Sequence, residues 1–246
     1  MKPRKRWLWL LILLPITLLA VGLVWALTPL GPMLEAEESL KSTASVQVIS
    51  DQWIVYKPVS EPKNTGLIIY PGGRVDSRSY SPTAMQISSS GYYVVIVPMP
   101  LNLAVFGANE AKTVIEAFPE IQKWIVSGHS LGGTMAARFV NQNPDIVDGL
   151  ILMAAYPAAN DDLSTIDISS LSIFSTLDGL TTLEDIDGAR HLLPQDSIYV
   201  EIDGGNHAQF GWYGDQPGDN PATISRETQQ DLTNEAILAL LEQINE

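Results

Sequence analysis

"IVSGHSLGGTMAARF", Ile125 to Phe139, is the stretch on which the reading of this chain turns. An apolar, strand-like run stops at Gly-His-Ser-Leu-Gly-Gly and passes at once into a segment of helical composition. Gly128-His129-Ser130-Leu131-Gly132 fits the G-x-S-x-G pattern, which recurs by chance and is weak alone. Its setting gives it weight, because a serine held on a sharp strand-to-helix corner needs a strained backbone and small neighbours. Gly128 and Gly132 supply those neighbours. The corner also places Ser130 at a helix N-terminus, where unpaired N–H groups favour developing negative charge. The bland alternative is a tight turn and nothing more.

Outward from this corner, strands and helices alternate. "SVQVIS" and "QWIVYKP" read as a hairpin around Ser50-Asp51. "TGLIIY" (Thr65–Tyr70) is apolar without alternation, as a strand buried on both faces should be. "SPTAMQISSSG" reads as a helix capped by Ser81 with Pro82 at its first position. "YYVVIVPMP", "KWIVSG", "VDGLILMAA", "LSIFST" and "SIYVEI" read as further strands. "NEAKTVIEAF", "SLGGTMAARFVNQ", "LEDIDGARHLL" and the amphipathic stretch from about Arg226 to Ile244 read as helices. Such alternation predicts an α/β fold, a mostly parallel central sheet with helices on both faces. The gap of roughly Tyr156 to Ser170 is too short for a lid domain and predicts an open, shallow site.

At 246 residues, 46% hydrophobic, the chain suits one sizeable domain. It has no cysteine, so disulfides and thiolate metal sites are excluded. Met1–Arg6 carries four basic residues and is expected to be a cytoplasmic tail. Trp7–Leu27 follows without a charge and, at about 1.5 Å per residue, is long enough to cross a bilayer core. The basic flank predicts a single-pass transmembrane anchor with the remainder extracytoplasmic; a cleaved signal peptide is the rival reading. Residues 28–44 read as a linker and 45–246 as the folded domain. Without the tail's four basic residues, 10 basic face 28 acidic, a net −18. That charge repels nucleic acid and anionic lipid headgroups and keeps an exported domain soluble.

A serine hydroxyl needs a base, and the chain holds three histidines: 129, 191 and 207. His129 is inside the corner and is expected to point away from the serine. His191 precedes the last strand, at the opposite edge of the sheet. His207 follows the last strand and emerges at the same edge as Ser130, where chemistry in open parallel sheets gathers. The base needs a carboxylate to fix its tautomer. Asp178, after "IFSTL", stands on its own loop at the correct edge; Asp203, Asp185 and Asp187 are less well placed. For the oxyanion, one donor is expected from the Leu131 amide and the other from the loop after "TGLIIY", Pro71-Gly72-Gly73-Arg74. Gly73 is the first choice, with Gly72 or Arg74 in its place after a one-residue shift. Met99, Leu101, Leu103, Phe210, Trp212 and Tyr213 stand near enough in sequence to line an acyl pocket, or simply to pack.

"GHSLGG", "STLDG" and "GGNHAQFG" occur in the order serine, aspartate, histidine, and on these segments the chain resembles the α/β-hydrolase superfamily. It is similar to a compact, lidless member of the dienelactone-hydrolase-like branch over about Ser45 to Glu246, though Pro71-Gly72 departs from the common His-Gly form. The resemblance implies hydrolysis of carboxylic esters, small or attached to a lipid or polymer, through an acyl-enzyme without metal or organic cofactor. Thioester, amide or lipid substrates follow from the same chemistry. An inert hydrolase-shaped binding module is the rival of a different class.

Overall fold

The computed structural model describes residues 6–246, with side chains described from Leu11 onward, Ile12 excepted. Eight strands form one sheet: β1 (Val46–Ser50), β2 (Ile54–Pro58), β3 (Thr65–Tyr70), β4 (Tyr93–Ile96), β5 (Lys123–His129), β6 (Gly149–Met153), β7 (Ser169–Ser175) and β8 (Ile198–Ile202). Their order is β1-β2-β4-β3-β5-β6-β7-β8. The hairpin is antiparallel, with Val48 opposite Tyr56, and β2 runs antiparallel to β4. Every later pairing is parallel. The carboxyl ends of β3, β5, β7 and β8 therefore share one edge.

Strands β3 and β5 are buried on both faces, which is why they read as continuous apolar runs rather than as alternations. Leu67 and Ile69 of β3 join one core, packed beneath α3 (Ser81–Ser89) and α7 (Arg226–Asn245). Ile68 and Tyr70, one residue out of step, join the other core beneath α4 (Glu110–Ala117) and α5 (Leu131–Gln142). Helices thus cover both faces, as expected. The connection from β6 to β7, residues 154–168, holds no helix, so no lid domain stands over the sheet edge. α6 (Leu183–Ala189) opens on a capping box between Thr182 and Asp185.

Helix α3 departs from expectation at its start. Ser81 is not its cap: a 3₁₀ turn over Ser77–Tyr80, capped by the Asp76 carboxylate, runs directly into it. Ser81 is buried instead.

At the N-terminus, α1 spans Arg6–Leu27. Among the described residues no helix is long and apolar enough to cross a membrane. The expected span over Trp7–Leu27 also needs residues 7–10 and 12, whose side chains lie outside the description, and residues 1–5 of the basic tail lie outside it altogether. Residues 28–44 are packed on the domain rather than extended from it. Leu30 forms a parallel bridge with Val75, the Met33 amide donates to the Trp212 carbonyl, and α2 (Leu34–Glu38) adds one turn.

Candidate active site

Ser130 stands between β5 and α5 at φ 52° and ψ −124°, a conformation that side chains rarely take. The corner closes because its neighbours lack side chains. A Cβ on Gly128 would lie 2.3 Å from the Gly132 carbonyl carbon, and one on Gly132 would lie 2.2 Å from the Tyr70 carbonyl oxygen. Gly133, which the pattern did not single out, is equally tight, 2.4 Å from the Ala155 Cβ. Ser130 is partly exposed, so its hydroxyl is open to a reactant.

The structure brings His207 and Asp178 together. His207 Nδ1 lies 2.8 Å from Asp178 Oδ2, both side chains essentially without solvent contact. The other carboxylate oxygen of Asp178 accepts from the amides of Leu180 (2.8 Å) and Thr181 (2.7 Å). The carboxylate is therefore fixed from both sides and directs the imidazole, with Nδ1 donating and Nε2 left as the basic nitrogen. His207 Nε2 is buried and has no hydrogen-bond partner among the described residues. It makes no hydrogen bond with the Ser130 hydroxyl; bonds of this kind are often long or poorly aligned in a free site.

The competing acids are engaged elsewhere. Asp203 accepts from the Thr176 hydroxyl, Asp185 completes the α6 capping box, and Asp187 pairs with Arg190 at 2.8 Å. His191 is exposed in a 3₁₀ turn ahead of β8. His129 makes no hydrogen bond with the serine; its ring is fully buried and lies 4.6 Å, centroid to centroid, from that of His207.

In the loop after β3, two of the three candidate amides are taken. The Gly72 amide donates to the Tyr80 hydroxyl (2.9 Å) and the Arg74 amide to the Asn102 carbonyl (2.7 Å). Gly73 is left, among these three, with no hydrogen-bond partner in the described residues, and it packs against Leu131. The choice among neighbours that the sequence left open is thus narrowed by hydrogen bonding.

Comparison with known proteins follows this geometry. The alpha/beta hydrolase family matches residues 66–231, from β3 through the start of α7. The chain belongs to the alpha/beta hydrolase family. Membership makes it a hydrolase, without distinguishing the dienelactone-hydrolase-like branch. Among curated proteins none matches the sequence. Among solved structures, the esterase domain of a Rhodothermus marinus protein is similar at TM-score 0.62 and 12% identity, covering 80% of this chain and 98% of that one. A Paleococcus ferrophilus monoacylglycerol lipase gives TM-score 0.59 at 13% identity, covering 79% and 99%. The Bacillus subtilis carboxylesterase CesB gives 0.57 at 12%, covering 84% and 95%. At such identities these likenesses speak for the fold.

Several residues that brace the site in this hydrolase were not visible in its sequence. The Tyr80 hydroxyl accepts from the Gly72 amide and shares a hydrogen bond of 2.8 Å with His129 Nδ1. Burial, and then the neighbouring His207, hold the His129 imidazole well below its usual range, so it stays neutral. Asp219 accepts from the Ala208 amide (2.8 Å) with one oxygen and the Gly179 amide (3.0 Å) with the other, tying the histidine loop to the aspartate loop. Arg226 donates to the carbonyls of Ala208 and Gly211, and to that of Gly214 at 3.0 Å, holding the chain after His207. Tyr80, Asp219 and Arg226 sit in no motif, because each is brought in by tertiary packing.

A cleft of about 440 Å³ opens beside Gly73 and Leu131, lined also by Trp25, Leu30, Arg74, Leu103, Gln216 and Pro217. Of the apolar residues considered for an acyl pocket, Leu103 reaches it, while Met99, Phe210, Trp212 and Tyr213 are buried as packing.

Proposed function

We propose that this hydrolase is a serine esterase, anchored by its N-terminal helix with the folded domain on the extracytoplasmic side. Ser130 attacks the ester carbonyl, and His207 Nε2 takes the hydroxyl proton and delivers it to the departing alcohol. Asp178 holds the imidazole and stabilises its cationic form. The amides of Leu131 and Gly73 receive the negative oxygen, aided by the N-terminal dipole of α5. Water then releases the acid from Ser130 by the same steps in reverse.

The observation that carries this reading is the buried His207–Asp178 pair, its second nitrogen unpartnered, on the sheet edge that bears the strained Ser130. The esterase, lipase and carboxylesterase named above, similar in fold, favour carboxylic esters over other acyl compounds. Support for anchoring lies in the uncharged run Trp7–Leu27 behind a basic flank. In the described part of α1, large apolar side chains stand exposed, among them Leu19 at 74% and Val24 at 63%.

The test is labelling with a fluorophosphonate, which traps an activated serine. The native chain labels and Ser130→Ala does not, with ester turnover falling by about 10⁴-fold or more. Equal labelling of the two refutes the assignment and leaves the inert binding module standing. A reporter fused to the C-terminus checks orientation, and a cytoplasmic signal refutes the export.

A further inference from the structure

The end of α1 does not lead away from the site as a free tether. Arg74, at φ 58°, follows the candidate oxyanion residue Gly73 and reaches back to the helix. Its Nε donates to the Trp25 carbonyl at 2.8 Å and its Nη2 to the Thr28 carbonyl at 2.9 Å, and its guanidinium lies 4.2 Å over the Trp25 ring. Asn102 Nδ2 donates to the Ala26 carbonyl at 2.9 Å. Cationic and polar donors thus reach the Trp25 and Ala26 carbonyls in the last turn of α1, where the helix dipole is negative, and the Thr28 carbonyl just beyond it. The Leu30 amide donates to the Arg74 carbonyl (2.7 Å) and the Asp76 amide to the Leu30 carbonyl (3.0 Å). The last turn of α1, the segment after it through Leu30 and the loop after β3 form one hydrogen-bonded unit.

The cleft lies within that unit. Trp25, Leu30, Leu103 and Pro217 line it together with Gly73 and Leu131, whose amides are the proposed oxyanion donors, and with the polar Arg74 and Gln216. From this mouth α1 departs with exposed apolar side chains, beginning at Val24 and Leu23. The turn over Pro100–Asn102 touches α1, and just beyond it Val105 and Phe106 are exposed at 47% and 60%. An apolar rim therefore runs from the cleft mouth into the helix. A rim continuous with an uncharged 21-residue helix has a lipid bilayer as its fitting neighbour, and an apolar cleft at its base suits an acyl chain.

We infer that the cleft takes its substrate from the bilayer: an ester of a long acyl chain, entering along Trp25 with its carbonyl against Leu131 and Gly73. This rests on the anchored serine-esterase reading above. In the reaction, the Ser130 Oγ–acyl bond forms as the ester C–O bond breaks and the alcohol leaves protonated. Water then converts the acyl-enzyme to free fatty acid and restores the serine.

The test uses the full-length protein in phosphatidylcholine vesicles. Two esters are compared: 4-nitrophenyl palmitate dissolved in the vesicles and water-soluble 4-nitrophenyl acetate. The native protein is expected to prefer the palmitate. Trp25→Ala lowers kcat/KM for palmitate about tenfold more than for acetate, whereas Trp25→Phe keeps the native ratio. Fluorophosphonate labelling of each variant shows that its site is intact. If labelled, vesicle-bound protein prefers acetate, or Trp25→Ala leaves the ratio unchanged, the inference falls while the serine-esterase reading stands. If the native protein fails to label, the esterase reading itself falls. If it labels but does not float with vesicles, anchoring falls and this inference with it.

Discussion

At the free second position of G-x-S-x-G stands His129. In the fold that position carries a fully buried imidazole between Tyr80 and His207. The imidazole is kept neutral, and the unfolded chain would protonate it near pH 6.5. A histidine depressed in the folded state contributes stability in full above about pH 6.5, and that stability drains as the pH falls below it, by up to about 1.4 kcal/mol per pH unit. Urea unfolding at pH 7.5, 6.0 and 5.0 is therefore expected to show a steeper acid loss in the native chain than in His129→Asn. Parallel losses would show that His129 is not the group responsible. By contrast the places of Ser130, Asp178 and His207 at the carboxyl edge of the sheet were legible, because each follows a segment that reads as a strand; their roles belong to the proposal.

Elements were easier to read than their joints. Strands β3 and β6 are buried throughout and β5 from Trp124 onward, so hydrophobicity alone marked them. The start of α3 was misread because Ser-Pro is a good helix opening wherever it occurs, and the preceding 3₁₀ turn is built by Asp76. The loops after β7 and β8 looked independent in sequence, yet Asp219 spans them with two short hydrogen bonds. Asp219→Ala should free the two loops from each other and misalign His207 against Asp178. The expected result is a fall in kcat of about 10- to 100-fold with KM little changed, and Asp219→Asn, retaining one acceptor, should fall between. A change in KM alone would assign Asp219 to substrate binding instead.

Across the whole molecule, α7 fastens regions far apart in the chain. Gln229 bonds both ways with the Asn206 backbone beside His207, Gln230 reaches Thr83 of α3, and Asn245 accepts from Thr65 at the start of β3. Removing residues 241–246 takes away buried Leu241 and the Thr65 contact but spares the turns that hold the histidine loop. Thermal unfolding should show a loss of about 2–5 kcal/mol with catalytic rate at room temperature retained. Loss of activity at unchanged stability would contradict this division of labour. The amphipathic pattern announced that α7 exists, but its partners are set by three-dimensional closure and cannot be read along the chain. The bare connection from β6 to β7 has a kinetic meaning as well. An enzyme with no moving cover has no trigger to trip at an oil–water boundary. On the proposed reading of an anchored serine esterase, its rate should climb smoothly with ester through the solubility limit, paced by encounter within the leaflet and by turnover at the serine.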